Sequence, residues 1–283
     1  MLRLSDVEEW RTFANGVRAK GRTVGLVPTM GSLHEGHAAL FRAAKDHGDV
    51  VVATIFVNPR QFNDQGDLER YPRTPELDRS LALDSGVDCL IEPTLEAMWP
   101  AYPAPTPTTV SLGAMGELFE GAGRPGHFDG VASVVAKLFA ITGPARAYFG
   151  EKDYQQLSVV RQMVHDLAFD VEVVGCAIVR DDDGLAFSSR NARLSKEGRR
   201  HALALSEALA RVAGHAECAS AQRARLSETL LGAGVDVAYA DVVDPATLVP
   251  SRDDESGERR ALVAGLVEGV RLLDNAPVRI VGR

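Results

Sequence analysis

The feature that most constrains this chain is the alternation of short apolar runs with segments of helical spacing. Residues 23–28 have the length and apolarity of a buried strand. Residues 34–45 follow with Leu33, His37, Leu40 and Phe41 on one helical face, and residues 50–57 are again almost continuously apolar. A strand that is apolar on both faces must be covered on both, as strands of a parallel sheet are. The same rhythm predicts a helix at 75–85, a strand at 87–92, a helix at 131–142, a strand at 146–149, a helix at 155–167 and a strand at 171–178. Such a chain is α/β, with a Rossmann-like, doubly wound parallel sheet, and ligands gather at the carboxyl ends of its strands.

Beyond residue 178 the texture changes. A polar loop leads to an Ala/Leu/Arg-rich helical region from 196 to about 231, then to alternating segments near 235–243, 260–267 and 278–281. This predicts a large domain at 1–178 and a smaller C-terminal α+β domain at 179–283. Two stretches interrupt the rhythm: 100–108 is a proline-rich extended connector, and 120–130 is glycine-rich yet charged and reads as a mobile flap. At the start, Ser5 and Glu8 form a capping-box pattern for an opening helix.

Composition narrows the partners. With 31 Lys and Arg against 39 Asp and Glu, the net charge of −8 repels a nucleic-acid backbone, so no nucleic acid is expected and any polyphosphate needs a local basic site. Cys89, Cys176 and Cys218 are far apart and lack a C-x-x-C spacing, which suits neither a disulfide framework nor a zinc site and fits a reducing, cytoplasmic compartment. The apolar run at 131–140 is interrupted by Lys137, and the first residues do not read as a signal peptide, so no membrane partner is expected.

Three stretches carry candidate chemistry. The first, Pro28-Thr29-Met30-Gly31-Ser32-Leu33-His34-Glu35-Gly36-His37, leaves a strand and enters a helix. Residues at i and i+3 lie about 60° apart around a helix axis, so His34 and His37 share a face near the end that favours anions. Gly36 leaves room for a ligand to approach the backbone. Taken alone, H-x-G-H fits a pair of ordinary histidines in a capped helix equally well. The second, Asp183-Gly184-Leu185-Ala186-Phe187-Ser188-Ser189-Arg190-Asn191, sets two hydroxyls beside an arginine, a compact donor set for phosphate oxygens, or simply a solvated linker. The third, Gly150-Glu151-Lys152-Asp153-Tyr154-Gln155-Gln156, puts Lys152 at a strand end, where a solvated strand-to-helix turn is the plainer explanation.

Together the histidine pair and the Ser-Ser-Arg loop resemble the paired signatures of the nucleotidyltransferase superfamily, which includes the class I aminoacyl-tRNA synthetases. A finer resemblance, to the pantothenate synthetase family, rests on PTMGSLHEGH, FVNPRQF, YPRT, RPGHFDGV, FGEKDYQQL and DGLAFSSRN, in that order, over about residues 24–195.

The resemblance implies an AMP-forming ligase that joins pantoate to β-alanine through a pantoyl adenylate, using ATP and Mg²⁺, as a homodimer. It implies catalytic donors at His34, His37, Lys152, Ser188, Ser189 and Arg190, with His37 a proton donor. ATP-binding positions would add Pro28, Thr29, Met30, Gly31, Ser32, Leu33, Glu35 and Gly36, then Gly150, Glu151, Asp153, Val179 and Phe187. Gln61 and Gln156 match pantoate-binding glutamines, with Met30, Asn58, Phe62 and Tyr71 lining the same pocket. Glu120, Arg124 and His127 match flap positions, and a metal ligand would fall on Asp78 or one residue earlier on Leu77. One departure is Phe187, which stands where the family pattern has methionine but removes no donor. Rival readings are an AMP- or CMP-transferring enzyme with a phosphorylated acceptor, an aminoacyl-tRNA synthetase and a regulatory nucleotide-binding module. The first would need extra cations where Asn58, Gln61 and Gln156 stand, and the second is disfavoured by the acidic, short chain.

Overall fold

The computed structural model describes residues 1–283. Six strands, β1 (Leu2–Leu4), β2 (Val24–Thr29), β3 (Val50–Ile55), β4 (Cys89–Ile91), β5 (Ala145–Gly150) and β6 (Val171–Cys176), form one sheet in the order β1-β4-β3-β2-β5-β6. Every pairing is parallel. Leu26, Val27, Val51, Val52 and Leu90 are fully buried in it, and Trp10 and Phe41 are equally buried on helices Val7–Ala19 and Glu35–Asp46. The strand order runs outward from β2 through β3 and β4, then resumes on the other side with β5 and β6. The reversal between β2 and β5 is the switch point at which such sheets open a crevice beyond their carboxyl ends.

Two details differ from the sequence reading. β1 was not foreseen, because three residues are too few to show a period; it pairs in register with β4, Leu2 opposite Cys89. The opening helix is capped by Asp6, not Ser5: Asp6 Oδ1 accepts from the Glu8 and Glu9 amides at 2.8 and 2.9 Å.

The amino edge of the sheet holds a buried charge. Asp49, 1% exposed, accepts from the Tyr148 hydroxyl at 2.7 Å and from Arg146 Nη1 at 2.8 Å. Since the one hydroxyl proton goes to Asp49, His47 Nδ1 must be the donor in its 2.8 Å contact with Tyr148 Oη. Burial, reinforced by Asp49, pushes the Tyr148 phenol up from its ordinary range.

The chain separates into two compact units, Met1–Glu151 with Val159–Ala177, and Lys152–Ser158 with Ile178–Arg283. In the second, helices Lys196–Ala202, Ala204–Ala213 and Ala219–Gly232 cover an antiparallel sheet of β7 (Asp236–Val243), β8 (Gly257–Val267) and β9 (Val270–Ile280). Leu205, Leu209, Leu226, Leu230, Val263 and Ile280 fill its core. β8 and β9 join through Glu268 and Gly269, at φ 52° and 73°. Positive φ at both positions makes the tight hairpin that matches strand twist. β9 starts eight residues earlier than the sequence pattern indicates, at Val270 instead of 278, because Asp274 and Asn275 interrupt its apolar alternation.

The domain boundary also needs correction. Residues 152–158, assigned by sequence to the first domain, pack with the second: Asn275 Nδ2 donates to the Lys152 carbonyl at 2.9 Å, and Tyr154 Oη donates to the Pro245 carbonyl at 3.2 Å. The Arg260 guanidinium lies 4.2 Å from the Tyr154 ring centroid. No helix is long and apolar enough to cross a membrane.

Asp49 supplies the fold prediction. Replacing it by Ala removes the buried acceptor of the Tyr148 hydroxyl and one of the two carboxylates of Arg146, which keeps Glu172 Oε2 at 2.9 Å, and leaving a buried polar group without its acceptor costs about 1–3 kcal/mol. Urea unfolding of Asp49→Ala should show that loss as a lowered midpoint with an unchanged slope.

Candidate active site

The segment leaving β2 turns sharply before entering helix Glu35–Asp46. Gly31 sits at φ 79° and Ser32 at φ 51°. A Cβ on Gly31 would lie 2.9 Å from Asp78 Oδ2 and 3.1 Å from Ile55 Cγ2, so glycine is required for space as well as for φ. Asp78, 2% exposed, accepts from the Ser32 and Leu33 amides at 3.0 and 2.8 Å and from Thr74 Oγ1 at 2.9 Å. Thr29 Oγ1 donates to the Thr54 carbonyl at 2.7 Å and accepts from the Gly31 amide at 3.2 Å.

This turn delivers His34 as the N-cap of the helix. His34 Nδ1 accepts from the Gly36 amide at 3.1 Å, and His37 Nδ1 accepts from the His34 amide at 3.3 Å, a capping box built from two imidazoles. A backbone amide can only donate. Both rings are therefore neutral with the proton on Nε2, and the pair, 4.2 Å between centroids, offers two N–H donors. Glu35 is exposed and paired with Arg42, so its side chain does not join them.

Beyond the carboxyl end of β3, the 3₁₀ turn Pro59–Gln61 builds a pocket of neutral amides. Asn58 Nδ2 donates to Gln61 Oε1 and to the Gly130 carbonyl, both at 3.1 Å, and Gln61 Nε2 lies 3.1 Å from Met30 Sδ. Phe62 and Tyr71 pack edge to face, with centroids 5.6 Å apart. His127 Nδ1 is 2.8 Å from the Gln61 carbonyl, and Arg124 Nη1 is 3.0 Å from His127 Nε2. Arginine only donates, so His127 accepts at Nε2 and donates from Nδ1, clamping the Gln61 backbone.

The mobile flap is thereby corrected. Glu120 and His127 are each 7% exposed, Glu120–Gly123 is a helical turn and helix His127–Thr142 begins inside the glycine-rich stretch. A Cβ on Gly130 would stand 2.2 Å from the Arg60 carbonyl oxygen, and one on Gly121 would stand 1.8 Å from that of Gly116. These glycines serve close packing, not freedom.

The metal role of Asp78 is corrected too. Its two oxygens are occupied by three donors, Leu77 is an exposed apolar side chain, and no group of three or more His, Cys, Asp or Glu is arranged to hold a metal ion.

In the second unit, Lys152, Ser188, Arg190, Asn191 and Arg271 line one cleft with Asp274. Ser188 is the N-cap of the turn Ser189–Arg193, its Oγ accepting from the Arg190 amide at 3.2 Å. Neighbouring arginines are matched: Arg180 grips Asp274 at 2.6 and 3.0 Å, and Arg199 pairs with Asp181 and Asp183. Arg199 in turn holds the Asp183 carboxyl below its usual range. The Arg190 side chain lines this cleft without a carboxylate against it. Lys152 Nζ is 3.6 Å from Asp153 Oδ1, while Asn275, oriented by Arg260 Nε at 2.7 Å, holds its carbonyl. Val179 accepts from the Phe187 amide at 3.0 Å, pinning the loop ahead of Ser188.

Gln156, on helix Tyr154–Asp166, belongs to this unit. Sequence reasoning missed Arg260, Asn275 and Arg271; the signal was polar residues inside an otherwise apolar strand pair. Burial pushes the Cys89 and Cys176 thiols up to about 12 and about 11, away from the thiolate form in which cysteine reacts.

Comparison with known proteins now places the chain. The family profile described as Pantoate-beta-alanine ligase matches residues 3–277. The chain belongs to that family. A pantothenate synthetase of Cereibacter sphaeroides is 49% identical over 279 residues, covering 97% of this chain and 99% of the relative, and one of Acidobacterium capsulatum is 52% identical over 264 residues, covering 90% and 85%. Among solved structures, pantothenate synthetase from Thermus thermophilus superposes with a TM-score of 0.88 at 46% identity, over 98% of this chain and 99% of that one. The Francisella tularensis pantoate-beta-alanine ligase, complexed with β-γ ATP and β-alanine, gives 0.79 at 30% identity, over 98% and 97%. This chain is a ligase with an α/β Rossmann-like sheet and a small antiparallel domain.

For this ligase the histidine tautomers are directly observable. Two-bond ¹H–¹⁵N spectra at neutral pH should show His34 and His37 protonated at Nε2 and His127 at Nδ1, three assignments from hydrogen-bond direction alone.

Proposed function

We propose that this ligase condenses pantoate with β-alanine in two steps, splitting ATP to AMP and pyrophosphate, with a pantoyl adenylate between them. The observation that carries the reading is the imidazole capping box at the end of β2, two fixed N–H donors beside a turn that also contributes Met30 to an amide pocket.

In the first step a pantoate carboxylate oxygen bonds to the α-phosphorus and the bond to pyrophosphate breaks. Negative charge grows on the phosphate oxygens, where preorganised donors act without reorganising. His34, His37, Lys152, Ser188, Ser189 and Arg190 are the donors in this reading, with Gly31 and Gly36 letting the nucleotide approach the backbone. Neutral amides at Gln61, Asn58 and Gln156 suit a hydroxy acid; a phosphorylated acceptor would call for cations. In the second step the β-alanine amine bonds to the acyl carbon and AMP leaves with the electron pair. Positioning carries that step, since holding two reactants in line is worth about 7–11 kcal/mol. Mg²⁺ would supply counter-charge for the triphosphate and would arrive with it, since the Asp78 carboxylate is already engaged by the Ser32 and Leu33 amides and Thr74. The cytoplasm, which supplies ATP and keeps the three free thiols reduced, is the compartment that fits.

Pyrophosphate exchange into ATP tests the reading: it should depend strictly on pantoate and proceed without β-alanine, and exchange in the absence of pantoate would refute it. His34 separates catalysis from capping. Asn is as good an N-cap as any residue, so His34→Asn should keep thermal stability within about 0.5 kcal/mol. It removes the Nε2–H donor, so kcat should fall about 100- to 1,000-fold.

A further inference from the structure

We propose that Trp99 is a positioning residue for the hydroxy-acid substrate, fixing which face of the Gln61 amide meets it through a one-way relay of hydrogen bonds. An indole N–H can only donate. Trp99 Nε1 donates to Asn58 Oδ1 at 3.0 Å, the shorter of two donors on that oxygen, the other being the Arg60 amide at 3.3 Å, so the oxygen of that amide must face the indole. Asn58 Nδ2 is thereby turned the other way, donating to the Gly130 carbonyl and to Gln61 Oε1, both at 3.1 Å. With Oε1 turned to Asn58, Gln61 points its Nε2–H the other way, now 3.1 Å from Met30 Sδ. A thioether is a weak acceptor that yields readily to a carboxylate or hydroxyl oxygen.

The alternative orientation is penalised at every link. Flipping Asn58 sets its amino group against the indole N–H and the Arg60 amide and its oxygen against the Gly130 carbonyl, and Gln61 must then turn Oε1 toward the substrate, where it repels a carboxylate. Buried groups cannot fall back on water: Trp99 is 5%, Asn58 1% and Gln61 7% exposed. Trp99 itself is held, with the Arg60 guanidinium 5.0 Å and Lys137 Nζ 5.1 Å from its ring. Lys137 also donates to the Ala97 and Met98 carbonyls, tying down the short helix Leu95–Met98 that ends at Trp99.

This inference rests on the reading that Gln61 binds pantoate. Trp99→Phe keeps a smaller aromatic ring and removes the donor. Losing one oriented hydrogen bond should raise the pantoate KM and Kd about 5- to 10-fold, with the ATP KM held within about 2-fold. In a Gln61→Ala background the same substitution should change the pantoate Kd by less than about 2-fold, because coupled residues are not additive. Equal shifts in both backgrounds, a matching rise in the ATP KM, or no shift at all would overturn the role. Should Trp99→Phe not fold, replacing tryptophan by 3-benzothienylalanine, which has the shape of the indole without its N–H, serves instead: Trp10 Nε1 has no hydrogen-bond partner to lose, so an unchanged pantoate Kd overturns the relay and a raised one with normal ATP affinity supports it. Wild-type protein that ignores pantoate would instead sink the ligase reading itself.

Discussion

The site depends on one buried carboxylate. Asp78 reaches across 45 residues of sequence to accept from the Ser32 and Leu33 amides, in a turn whose two preceding φ angles are positive. Without it those donors would be left partly buried and unpaired, at about 1–3 kcal/mol each. The turn determines where His34 begins the helix, and the helix start determines that a Gly36 amide meets Nδ1 of one ring and the His34 amide meets Nδ1 of the other. A single acidic side chain thus sets the orientation of both imidazoles through three further links, none of which requires it to touch substrate or metal.

Glycine is used in two opposite ways around this centre. At Gly31 the backbone needs a left-handed φ and the Asp78 carboxylate needs the space. At Gly130 the φ is ordinary and the need is proximity alone, since the Arg60 carbonyl occupies the place of a side chain. Close approach there brings the Gly130 carbonyl to Asn58 and lets helix His127–Thr142 start beside Gln61, so the end of the glycine-rich stretch packs as a wall of the pocket.

These two uses also mark what the sequence could and could not disclose. Parallel strands buried on both faces leave contiguous apolar runs, so the sheet was readable strand by strand, and its switch point lies where motif residues follow β2 and β5. The histidine pair was readable because its partners are its own near neighbours in the chain. A glycine's reason for being there is not written locally, and 120–130 was misread as mobile because packing and freedom call for the same residue. Asp78 was misassigned because an acidic residue near a motif looks the same whether it holds amides or a cation. Asn275 and Arg260 lay out of reach for a related reason: their function is to hold Lys152, more than a hundred residues away.

What unites the site is the direction of its hydrogen bonds. Imidazoles and primary amides can turn either way, and a pocket made of them has many arrangements of similar energy. In the first unit His34 and His37 are abutted by backbone amides, His127 by Arg124 and Asn58 by an indole, and in the second unit Asn275 is abutted by Arg260, all donors that cannot reverse. One irreversible donor forces its neighbour, and at Asn58 the neighbour orients the next. These side chains therefore hold one orientation before any ligand arrives, which is the condition under which donors aimed at a developing charge contribute most. Because the neutral tautomers are set by main-chain and arginine donors, they are a property of the fold, and a fold that preserves these contacts preserves the polarity of the site with them.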